Sequence, residues 1–91
     1  MTTPRIALPA RAVASRVLDA SALLLHPSAD EVKICNAVGT RLWQLICEAR
    51  HTEDELAAIL VAEYEVELEV ARIDVREFLS SLETAGFLSW R

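Results

Sequence analysis

The sequence predicts an α+β fold, a three-stranded antiparallel sheet followed by three helices. Three observations carry this reading. Between Val13 and Cys35, short apolar stretches are separated by turn-forming residues at Asp19-Ala20-Ser21 and Pro27-Ser28-Ala29-Asp30. At Asn36 the apolar period changes from two to about four, as it does where a strand gives way to a helix. Two further amphipathic stretches follow, one opened by Thr52 and one closed by Gly86.

Residues 1–11 read as an arm, because Pro4 and Pro9 forbid regular pairing; residues 12–91 form the domain. Val13 to Leu18 is the first strand and Ala22 to His26 the second, apolar through Leu23, Leu24 and Leu25. The third strand spans 31–35 and alternates, with Val32 and Ile34 on one side and Lys33 and Cys35 on the other. Short connections between short strands imply a meander.

Asn36 then caps a helix from about Ala37 to Ala49, whose face is marked by Val38, Leu42, Leu45 and Ile46. Thr52-Glu53-Asp54-Glu55 is a capping box opening a second helix, which buries Leu56, Ile59 and Leu60 and ends near Tyr64. Glu65 to Glu69 is a linker. The third helix, about Val70 to Ala85, carries Ala71, Val75, Phe78, Leu79 and Leu82 within one stripe of about 100°. Gly86 suits the left-handed position beyond its end, with Phe87 folding back toward Leu82 and 87–90 closing the chain as an extended tail.

Ninety-one residues allow one modest core, and 53% apolar with 25% charged residues indicates a folded chain. Aromatic residues supply only 5%, too few to line a deep cofactor pocket, and no cofactor is expected. No catalytic constellation is found. His26, His51, Cys35 and Cys47 show no metal-ligand spacing, and both cysteines read as small buried apolar residues in a reducing compartment. The two glycines, Gly39 and Gly86, form no phosphate-binding loop. The start has no apolar signal segment, the longest apolar run (56–62) is too short for a membrane, and the expected address is the cytoplasm.

Three helices beside a small sheet also make the winged helix-turn-helix shape of DNA-binding regulators, which is the alternative function. The net charge of −5 argues against it. The second helix is acidic in its first turn, and the third alternates Arg72 and Arg76 with Asp74, Glu77 and Glu83.

Peptide recognition fits better. The third strand has a free edge wherever the C-terminal tail does not cover it, guarded only by Asp30, Glu31 and Lys33. Val70 and Ile73 lie off the core stripe, with Arg72 and Arg76 beside them. A third helix crossing next to the third strand would give a groove with a hydrogen-bonding wall and an apolar, basic wall. An extended peptide would add there as a further strand. The peptide-contact residues expected are Val32, Lys33 and Ile34 on the strand, with Val70, Arg72, Ile73, Asp74 and Arg76 on the helix. An open edge also leaves self-pairing into a homodimer open.

The order of features resembles the PqqD-like family, the small domains called RiPP recognition elements. The resemblance runs over about 13–90: Leu23-Leu24-Leu25, a strand ending in Asn36, Gly39, Trp43, Thr52, Tyr64-Glu65-Val66, Asp74-Val75, Phe78-Leu79, Leu82 and Gly86-Phe87-Leu88. It implies a winged-helix-like fold and no catalytic role. It also implies that the leader segment of a ribosomally made precursor peptide pairs with Glu31 to Cys35 and packs on Val70 to Glu77. The partners it implies are that precursor and a modifying enzyme, either a radical SAM enzyme or a lasso-type leader peptidase. Cys35 departs from the family pattern, which would place leucine before Asn36. The prolyl arm carries no enzymatic fusion, so a freestanding adaptor is expected.

Overall fold

A computed structural model of the chain describes residues 4–28 and 32–91. Along it run β1 (Ala7–Pro9), β2 (Ala14–Leu18), β3 (Ser21–Leu25), β4 (Lys33–Ile34), α1 (Ala37–Cys47), α2 (Glu53–Tyr64), α3 (Leu68–Ala85) and β5 (Leu88–Trp90). The sheet β2-β3-β4 is the expected antiparallel meander, and the three helices follow it in order. A two-stranded sheet of β1 and β5 is added. Asp30 and Glu31, expected to guard the third strand, lie outside the described residues.

The β2–β3 hairpin turns on Asp19 and Ala20, both with positive φ (49° and 65°). Two left-handed residues make the tight loop whose twist matches that of the strands it joins. Residues opposite one another across a ladder share a face. Ala22 and Leu24 of β3 point into the core and are fully buried, while Leu23, Leu25 and Ile34 lie on the outer face. β2 is exposed along its whole length, so the fully buried side chains of the sheet come from β3.

A buried hydroxyl makes that attachment. The Ala22 carbonyl accepts the Cys35 N–H at 2.9 Å, which continues the β3–β4 ladder by one residue. The next donor on that side, Ala22 N–H, finds no strand because the chain has turned into α1. It donates instead to Thr40 Oγ1 at 2.8 Å, and that hydroxyl in turn donates to the Cys35 carbonyl at 3.4 Å.

The helix ends follow their sequence signals. Asn36 Oδ1 accepts the Gly39 N–H at 2.8 Å. Thr52 and Glu55 form the full capping box, at 3.2 and 2.8 Å. Gly86 (φ 85°) closes α3, and the Phe87 N–H bonds back to the Leu82 carbonyl at 2.9 Å while its ring is buried. α2 ends on a left-handed Glu65, and α3 starts at Leu68, shortening the expected linker by two residues. Leu24, Leu42, Ile46, Leu56, Val75, Leu82 and Phe87 are the largest fully buried side chains. Arg41 donates twice to Glu63, at 2.8 and 2.7 Å, and so clamps α1 to α2.

Three expectations are corrected. The arm does pair: β1 lies against β5 in register Ala7↔Trp90, Leu8↔Ser89, Pro9↔Leu88, and Ala7 is fully buried. Ile6 and Ala10 donate to the carbonyls of Arg91 and Phe87, which flank β5, whereas Ala7 donates the other way, to the His51 carbonyl. Pro9 shares the parity of Ala7, so its missing N–H costs the β1–β5 ladder nothing. Cys47 is exposed at the end of α1, while Cys35 is buried as expected; both are free thiols. Phe78 is only half-buried, set at the edge of the α3 stripe.

Two outcomes are expected. Thr40→Val leaves the buried Ala22 N–H without an acceptor and costs about 1–3 kcal/mol in chemical denaturation. Ala20→Gly removes a left-handed alanine and gains about 1 kcal/mol, raising the melting midpoint by roughly 4–8 °C.

Candidate functional site

β4 pairs with β3 on one side, and among the described residues no strand pairs with the other. α3 runs beside that open edge. Lys33 sits opposite the buried Leu24 and so projects from the helix-facing side of β4, where its Nζ donates to Ser81 Oγ on α3 at 2.8 Å. Val32 and Ile34 belong to the other side of the strand. Ile34 is 70% exposed, and Val32 is also open to solvent.

Between the start of α1 and α3 the groove deepens into a hollow of about 400 Å³. Val38, Gly39, Leu42 and Phe78 line it with carbon, and Asn36, Asp74, Glu77 and Ser81 add polar atoms. Gly39 lets the two helices approach here. A Cβ at that position would lie 3.0 Å from the Phe78 ring and 3.3 Å from Cys35 Cβ. Burial pushes the Cys35 thiol up, against the lowering field of Lys33, so it stays protonated and unreactive behind the strand.

Residues three, four and seven apart share one side of a helix. Val70, Asp74, Glu77 and Ser81 form such a line, and it is the line turned toward β4 and the hollow. Ile73, 54% exposed, lies on the outer shoulder of that line. Arg72 lies about 160° around the axis from both Val70 and Asp74, whereas Arg76 lies about 120° from Val70 and one turn on from Ile73. Arg72 pairs with Glu69 at 3.6 Å, and Arg76 stands 3.9 Å from Glu53 of α2. The part of α3 that lines the hollow is therefore acidic, from Asp74 and Glu77, while Arg76 borders Glu77 and Ser81 further along the helix.

The structure thus sets Lys33 against α3 and Asp74 in the lining of the hollow, leaves Val32, Ile34, Val70 and Ile73 exposed, and pairs Arg72 with Glu69 while Arg76 stands near Glu53. Gly39, Glu77, Phe78 and Ser81 were missed as lining. Stepping three and seven residues on from Asp74 would have reached Glu77 and Ser81. Among the described residues, no His, Cys, Asp and Glu side chains gather to hold a metal ion, and no helix is long and apolar enough to cross a membrane.

Comparison with curated proteins finds no match at a significant level. Two solved structures are similar. One is TbiB1 in complex with the TbiA(β) leader peptide, 30% identical, covering 90% of this chain and 94% of that one, with a TM-score of 0.82. The other is a lasso peptide synthetase B1 complexed with the leader peptide, 23% identical, covering 91% and 96%, with a TM-score of 0.80. The family model described as coenzyme PQQ synthesis protein D (PqqD) matches residues 21–88. With three-quarters of its length inside that model and the same fold as these structures, the chain belongs to the PqqD family.

Proposed function

We propose that this chain is a non-catalytic adaptor that binds the leader segment of a ribosomally made precursor peptide and presents it to a modifying enzyme. The observation that carries the reading is the open edge of β4 beside an α3 face with uncovered apolar side chains. Its support from outside is the likeness, at 30% identity over nine-tenths of the chain, to TbiB1, a protein solved with a leader peptide. The modifying enzyme is of the radical SAM or leader-peptidase class.

The leader adds antiparallel to β4. Its backbone satisfies the free N–H and C=O groups of 32–34, and its alternate side chains turn toward α3. Each added backbone bond contributes about 0.5–1.5 kcal/mol net. Each leader side chain buried against Val70, Ile73 or the floor of the hollow adds roughly 1.5–3 kcal/mol. Val32 and Ile34 set the register from the outer side, and Lys33 and Asp74 border the path. Arg72, on the other flank, takes no part in the groove wall.

Titration with the TbiA(β) leader, and with the leader of a precursor encoded beside this chain, is the direct test. A scrambled leader and a DNA duplex serve as controls. Saturable binding of an unscrambled leader alone is expected; salt-sensitive binding of the duplex in its place would restore the DNA-binding regulator. Ile73→Asp should weaken leader binding at least about tenfold, the loss of one buried side chain. Its melting midpoint should stay within a few degrees of wild type, because Ile73 is largely exposed. Normal binding by that variant would move the groove elsewhere.

A further inference from the structure

The hollow between α1 and α3 has a chemistry of its own. Its floor is carbon, from Val38, Leu42 and the edge of Phe78. Its α3 rim carries two carboxylates, Asp74 and Glu77, and among the described residues neither has an ion-pair partner. Of the cations around it, Lys33 is held by Ser81, and Arg76, which adjoins Glu77 on α3, stands 3.9 Å from Glu53. The other polar group of the rim, Asn36 Oδ1, is taken by the Gly39 N–H. Two exposed acids alone would be ordinary solvated surface. Here they overhang an apolar hollow lined in part by Gly39, next to a strand edge open to a peptide.

We infer that this hollow takes a lysine or arginine side chain of the bound leader, its methylene stem on Val38, Leu42 and Phe78 and its charged head between Asp74 and Glu77. The inference rests on the leader-binding reading and deepens it. Long basic side chains lay their stems on apolar surface and keep the head in a polar setting, which is the arrangement the hollow offers. An acidic leader residue would meet two like charges there, and a wholly apolar one would forgo both charge-assisted bonds. The selectivity is thus the reverse of what a wall of Arg72 and Arg76 would impose.

The test uses fluorescently labelled TbiA(β) leader peptides in which each position is replaced in turn by lysine or by norleucine, which keeps the stem and lacks the charge. At one position lysine should bind about tenfold tighter than norleucine at low salt. In the Asp74→Asn/Glu77→Gln double variant that ratio should fall to about one, and in Asp74→Lys/Glu77→Lys glutamate should be preferred at the same position. Binding of the parent peptide with no lysine preference at any position, or a preference that survives the double variant, would overturn this inference and leave leader binding standing. Failure of every peptide to bind the wild-type chain would overturn both. Unchanged melting midpoints in the exposed-site variants separate lost selectivity from lost fold.

Discussion

The hydroxyl of Thr40 holds the sheet to the helices. β3 has only Ala22 and Leu24 to bury, and β2 adds no buried residue at all. A sheet so thinly packed would slide on its support if apolar contact alone held it. The bond from Ala22 N–H to Thr40 Oγ1 fixes its position, because a buried donor cannot shift without losing its acceptor. The same hydroxyl sits one turn into α1, so the spot where β4 ends and the spot where α1 begins are set together. Asn36 caps that helix from the residue between them. The groove inherits its geometry from this junction: its strand wall lies just before, its floor just after.

Junctions of this kind were legible in the sequence because they are local. Asn36, the Thr52–Glu55 box and Gly86 each act within four residues, and each marks the end of a helix that the structure contains. The third strand beside the third helix was posed by the sequence only as a condition, and was implied by the family resemblance. Features that depend on parity or angle over longer range were not. Pro9 looked like a barrier to pairing, and only the direction of each N–H along β1 shows that it is none. Arg72 looked like a neighbour of Val70, and the helix rotation sets it nearly opposite, paired with Glu69. Gly39 showed no sign of its role, since the Phe78 ring that presses on it comes from far along the chain.

The exposed apolar residues belong to the same balance between stability and use. Ile34, Val32, Val70 and Ile73 contribute little to the core, and β4 is only two residues long among the described ones. A short edge strand is a poor template for its own kind. It gains strength when a second wall, here α3, lies beside it and supplies side-chain contacts to whatever pairs there. Edge and helix together select for a peptide that offers both a free backbone and the right alternate residues.

The pairing of β1 with β5 has a mechanical meaning. Ile6 and Arg91 exchange two backbone bonds of 2.9 Å, so the two ends of the described chain leave the domain side by side. Trp90 is held there by Glu83 at 2.8 Å and by Arg5, whose guanidinium lies 4.2 Å from the ring centre. Glu83 lies about half a turn around α3 from Asp74, on the flank away from the groove. A tether or a neighbouring domain joined at either end would therefore leave the peptide path clear. Tension between the ends would open the small sheet one bond at a time, like a zip, before any load reached the junction at Thr40.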